Sequence, residues 1–233
     1  MTPVILMGGA VSPKAQHETI RMDSEQVTIR LKQNSYTVDA VFKFFNSGQT
    51  TIEWVGFPKQ GNIWTSEFVD VSDFIRFATW IDGRKTDVIE ERGQGRISVL
   101  IERAFQYLLS AGGLMGVYGL GFRPIAENRW LVQRVTFPAH TNTTIRTSYE
   151  ARYVFRGAPS AYYIVGTGRF WKGSIGKAVF LVDATDVGGT GKISVEGLEI
   201  GPGPRFVSKN VALFEMRNIE PPISTKLTIN VMP

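Results

Sequence analysis

Thr143-Thr-Ile-Arg-Thr-Ser-Tyr-Glu-Ala-Arg-Tyr-Val-Phe155 decides the fold class. Thr143, Ile145, Thr147, Tyr149, Ala151 and Tyr153 alternate with Thr144, Arg146, Ser148, Glu150 and Arg152, so β-branched and aromatic residues fall on one side and charges on the other. That period of two fits a pleated strand with one buried face, and no helix could keep the two sets apart. Tyr36–Phe45 carries the same pattern, with Tyr36, Val38, Ala40, Phe42 and Phe44 sharing a face, and Glu25–Leu31 places Val27, Ile29 and Leu31 together.

Working outward, Asn46-Ser-Gly48 supplies turn chemistry before Thr50–Val55, and the first third reads as an antiparallel meander closed by Gly56-Phe-Pro58. Phe74–Ile81 followed by Asp82-Gly83 is a hairpin signal, because both turn residues tolerate positive φ. Trp130–Phe137, Tyr162–Val165, Ala178–Val182, Lys192–Leu198, Asn210–Met216 and Leu227–Val231 bring the strand count near a dozen. The reading is all-β: an antiparallel β-sandwich, with two sheet-rich lobes left open as an arrangement.

One segment departs from this. Ile97, Leu100, Ile101, Ala104, Phe105 and Leu108 recur at helical spacing, predicting a helix over 97–109 that stops at Gly112-Gly113. With the Gly-rich stretch from Gly112 to Gly121, it forms an insertion at about 91–122 in a unit spanning 17–233. That stretch is too apolar for a solvated linker, which makes Leu114, Met115 and Tyr118 candidate contact residues. Residues 1–16, an apolar run followed by small residues, read as an N-terminal arm or a signal remnant.

Composition bounds the function. A chain of 233 residues buries a core without staples. Net charge of +5 arises from scattered cations, with no run of five like charges, so nucleic acid is not an expected partner. No apolar run is long enough to span a membrane. The absence of cysteine removes thiol nucleophiles and zinc-thiolate sites and fits an oxidising compartment.

Chemistry is sparse. His17 and His140 are the only histidines, and no Gly-x-Ser-x-Gly elbow exists, which disfavours a hydrolytic triad. Asp183 and Asp186 lie in a Gly-rich turn without the acid spacing of a calcium loop. Gly166-Thr-Gly-Arg-Phe-Trp-Lys-Gly173 lacks the ending of a phosphate loop and precedes a strand, so it reads as a tight or bulged connection. Its aromatic pair, Phe170 and Trp171, joins the candidate contact residues, with Trp171 folding over a sheet edge. Trp64, in the turn-like Gly61–Ser66, is the tryptophan best placed for exposure. Asp39, Glu53 and Glu150 read as outward-facing strand residues rather than catalytic acids.

Several segments carry a resemblance. Glu18–Leu31, Tyr36–Asn46, Gly56-Phe-Pro58, Thr167–Gly176 and Asn218-Ile-Glu-Pro221 resemble, in order, the strand and turn patterns of a family of bacterial exported β-sandwich proteins, a domain of unknown function. The matched segments cover roughly a third of the chain, and the helical insertion has no counterpart. The resemblance implies export to the periplasm or beyond and an all-β fold. It implies no catalytic residue and no cofactor.

The expected function is therefore a non-enzymatic, extracytoplasmic structural or protein-interaction module at the cell envelope, contacting a protein partner or itself. A carbohydrate-binding module stacking glycans on exposed aromatics is the alternative. A glycoside hydrolase with paired carboxylates ranks third.

Overall fold

The computed structural model describes residues 3–7, 10–12, 17–58, 74–93, 128–155, 157–165, 171–197, 204–222 and 225–232. The predicted helix at 97–109, together with Trp64, Leu114, Met115, Tyr118 and Phe170, lies outside the described residues.

Seventeen strands appear among the described residues. The largest sheet contains β3 (Ile20–Leu31), β4 (Ser35–Asn46), β6 (Phe74–Ile81), β7 (Arg84–Thr86), β10 (Asn142–Arg152), β13 (Ile175–Asp183), β15 (Arg205–Ser208) and β16 (Val211–Ile219), in the order β15-β16-β13-β3-β4-β10-β6-β7. Five strands, β1 (Pro3–Met7), β2 (Ala10–Ser12), β5 (Thr51–Pro58), β8 (Ile89–Gly93) and β9 (Asn128–Phe137), form a second sheet ordered β2-β1-β5-β9-β8. The third, β11-β12-β17-β14, contains β11 (Val154–Phe155), β12 (Pro159–Ile164), β14 (Ile193–Glu196) and β17 (Lys226–Val231). Pairing is antiparallel except at β3·β13 and β1·β5. The N-terminal segment thus supplies β1 and β2, with β1 paired along β5.

Both smaller sheets cover one face of the eight-stranded sheet. Phe44 on β4 meets Phe137 on β9 edge-on at 5.7 Å, Phe77 on β6 meets Phe57 on β5 at 5.1 Å, and Phe180 on β13 meets Tyr163 on β12 at 5.7 Å. The alternation expected from sequence is realised: Val27, Ile29, Leu31, Val38, Ala40, Phe42, Phe44, Ile145, Thr147, Tyr149 and Ala151 are all buried in or against one continuous core. The opposite face stays polar and half-exposed, with Asp39 on β4 held by Arg146 on β10 through both oxygens.

The chain changes layer at corners rather than continuing a meander. β3 and β4 form the expected hairpin, but β5 leaves for the second sheet, and Asn46 sits at that corner. Buried Asn46 donates to the carbonyls of Gln49 (2.8 Å) and Phe137 (2.9 Å) while its own carbonyl accepts the Gly48 N–H, tying the ends of β4 and β9 together. Likewise the long strand expected over 143–155 divides: β10 ends at Arg152, and β11 belongs to the third sheet. A register shift at Glu150/Ala151 precedes that break, and Tyr153 turns to donate its hydroxyl to the Lys32 carbonyl at 2.7 Å. Asp82-Gly83 makes the predicted tight turn, with φ of 48° and 78°.

Candidate functional site

β15 is the terminal strand of the eight-stranded sheet, and on its far side no strand pairs with it among the described residues. Pro204 precedes it and the Lys209-Asn210 turn follows, so it is a four-residue hairpin arm along β16. All four of its residues are exposed, Phe206 at 62% and Val207 at 57%. Phe206 lies opposite Ala212, whose side chain is in the core, so the ring extends the inner side of the sheet beyond its last covered strand. A register shift between Phe206 and Ser208 accommodates the extra residue. Among the described residues this leaves a backbone edge without a partner strand, flanked by two adjacent large apolar side chains and by Arg205 and Lys209, a combination suited to strand addition.

The other expected contact residues fall differently. Trp171 is fully buried: its ring packs 4.5 Å from Phe44 and 5.8 Å from Phe137, sealing the sandwich instead of offering a surface. The Lys172 N–H bonds the Ile20 carbonyl at 2.8 Å and fixes that plug to the start of β3. β10, long and two-faced, is paired on both sides, by β4 and by β6, so neither of its edges is available to a neighbour.

His17 is placed with a hydroxyl and a carboxylate, yet its bonding is structural. Its Nδ1 accepts the N–H groups of Thr19 (3.3 Å) and Ile20 (3.1 Å), Nε2 lies 3.4 Å from Glu53 Oε1, and the ring stacks on Trp171. The nitrogen that would take a proton from Thr19 Oγ1, 3.5 Å away, is already engaged by two backbone donors. The arrangement caps the entry to β3 and does not activate a nucleophile.

The carboxylates singled out in the sequence on strands, and Asp183 in its turn, are paired. Glu150 accepts from Lys32 Nζ (3.0 Å) and Ser35 Oγ (2.9 Å), which hold its carboxyl below the usual range. Asp183 accepts from Thr185 and from Arg30, and those bonds outweigh its partial burial and lower it too. Glu53 faces His17 and Thr51. Among the described residues no three His, Asp or Glu side chains converge as a metal site, and no helix is long and apolar enough to cross a membrane.

Four outward aromatics have a cation over the ring: Arg146 over Trp80 (4.8 Å), Arg21 over Phe45 (5.1 Å), Lys226 over Tyr162 (5.5 Å) and Arg134 over Trp54 (5.8 Å). A ring face held this way is not free to stack on a sugar.

Sequence reasoning missed two features. Phe206 and Val207 were legible as adjacent apolar residues in a strand too short to bury both, directly after Gly201-Pro-Gly-Pro204. Glu25 shares the parity of Val27, Ile29 and Leu31, which places its carboxyl inside. It is completely buried and accepts the Tyr163 hydroxyl at 2.6 Å.

No protein-family model and no curated protein sequence matches the chain. Among solved structures it is similar to a "putative nutrient binding protein" from Legionella pneumophila, with a TM-score of 0.67 at 14% identity over 98% of this chain and 73% of that one. A weaker likeness is to an M1 zinc metallopeptidase from Deinococcus radiodurans, with a TM-score of 0.39 at 9% identity over 91% of this chain and 42% of the enzyme. The first places the chain in an all-β, sandwich-like fold that recurs elsewhere. The second is too distant to inform function.

Proposed function

We propose that this chain is a non-enzymatic interaction module that works at the cell envelope by adding a strand, from another protein or from a second copy of itself, to the β15 edge. One observation carries the reading: an edge with no partner strand among the described residues, at which Phe206 and Val207 are both more than half exposed. Exposed apolar pairs on an unpaired strand are an aggregation hazard that natural sheets suppress with charge, proline or a covering element. Here proline and charge stand only at the ends, on Pro204, Arg205 and Lys209, and leave the apolar centre open. Export is supported by the cysteine-free composition and by the family resemblance carried by Glu18–Leu31, Tyr36–Asn46, Gly56-Phe-Pro58, Thr167–Gly176 and Asn218–Pro221.

Light scattering after size exclusion, at rising concentration, tests the proposal alongside cross-linking in envelope extracts. Wild-type protein is expected to self-associate or to capture a partner through peptides containing 205–208. Phe206→Glu with Val207→Glu abolishes this. Identical behaviour of wild type and double variant in both assays would refute the assignment.

A further inference from the structure

We infer that the buried Glu25 carboxyl, facing Tyr163, is a proton-controlled bolt: while it is protonated the third sheet stays docked on the eight-stranded sheet, and loss of that proton releases β12 and β17.

The geometry puts the pair at a joint between sheets. Among the described residues no backbone ladder connects β11-β12-β17-β14 to either other sheet, so docking depends on what the facing residues do. From the eight-stranded sheet come Glu25, its in-register neighbours Phe42 and Ala178, and Phe180. From the third sheet come Tyr163, Ala161, Leu227 and Ile229. All of them are buried, and the apolar members would pack at any pH. Glu25 is the exception, an acid whose Oε1 takes the Tyr163 hydroxyl and whose Oε2 has no hydrogen-bond partner.

The groups able to compensate a charge there are few. Facing the joint are the hydroxyls of Tyr163 on β12, Tyr149 on β10 and Tyr36 on β4, the last bonded to the backbone of Tyr162. No Lys, Arg or His is buried among the described residues. Among the described residues a carboxylate formed at Glu25 would therefore have one donor and no buried counter-ion, a larger cost than the single unpaired hydroxyl of the neutral acid. Burial accordingly pushes the Glu25 carboxyl up to about 8, against the opposing pull of the Tyr163 hydroxyl. Undocking the third sheet lets water reach the carboxylate, so opening and deprotonation are linked. Each proton released raises the opening equilibrium by at most about tenfold per pH unit.

Hydrogen exchange on the full chain between pH 6.5 and 9.5, corrected for the base-catalysed intrinsic rate, tests the bolt. Peptides from β12 and β17 should lose protection by up to about tenfold per unit between pH 6.5 and about 8 and level off above it, while peptides from β5 and β9 do not change. Glu25→Gln should flatten the β12 and β17 response. Wild-type protection of β12 and β17 that ignores pH, or a Gln variant with the wild-type profile, would overturn the inference. Should Glu25→Gln not fold, Tyr163→Phe serves: it removes the donor that favours the carboxylate, so the levelling-off moves to higher pH. An unmoved plateau would likewise overturn it.

Discussion

Gly176 passes the Asp23 carbonyl so closely that a Cβ at position 176 would lie 2.6 Å from that backbone oxygen. The contact falls where β13 comes alongside β3, the one parallel pairing of the eight-stranded sheet, beside the register shift between Met22 and Ser24. Gly176 is thus required by proximity. Gly176→Ala should destabilise by about 1–3 kcal/mol, the range for overpacking. Gly83 is the contrast: it needs positive φ, but an added Cβ would meet nothing within 4 Å. Asn, which tolerates left-handed backbone, should be nearly neutral at 83 and damaging at 176, as read from denaturation midpoints.

Trp171 provides a second test, because its burial makes it a packing residue. Trp171→Ala removes a ring that touches Phe44, Phe137 and His17, and it should cost about 3–5 kcal/mol. Trp171→Phe should cost less. Replacement by Ala with no change in midpoint would mean that the ring is not enclosed.

The burial pattern was legible in sequence because parity alone sets it: Tyr36 to Phe44 and Ile145 to Ala151 are inside wherever their strands pair. Sheet membership was not legible. An alternating strand looks the same in either layer, and the change of layer after β4 depends on Asn46 reaching the Phe137 carbonyl 91 positions away. The parallel neighbour of β3 was hidden for the same reason, since β13 lies about 150 residues downstream in a register no local motif encodes. At the site, the contact role assigned to Trp171 rested on its folding over a sheet edge from a tight Gly-rich connection; the ring instead fills the space between Phe44 and Phe137. At Phe206 and Val207 the adjacent apolar pair was legible but its place at an edge was not, because strand order is a property of the whole sheet.

Because Phe206 and Val207 are exposed, their replacement should separate stability from association. Phe206→Glu and Val207→Glu should each move unfolding free energy by no more than about 0.5 kcal/mol. Phe214, one strand further in and 4% exposed, is the control: Phe214→Ala should cost about 3–5 kcal/mol. Destabilisation at 206 comparable to that at 214 would show that the ring is covered.

Glu25 makes overall stability fall as pH rises, opposite in sign to most carboxylates. Its folded value of about 8 lies above the ordinary 4.5, so between these limits the native state holds a proton that the unfolded chain has released. Stability is then fully present below about pH 4.5, declines by up to about 1.4 kcal/mol per unit across the window, and levels off above about 8. Glu150 and Asp183, lowered by their partners, act in the reverse sense, and only below the usual carboxylate range. Denaturant midpoints at pH 5, 7 and 9 should therefore drop steadily for wild type and stay level for Glu25→Gln. The two proteins should differ most at pH 9, where the Gln variant is the more stable. A wild-type midpoint that rises from pH 5 to 9 would mean that Glu25 is ionised in the folded state and that some donor other than Tyr163 stabilises it.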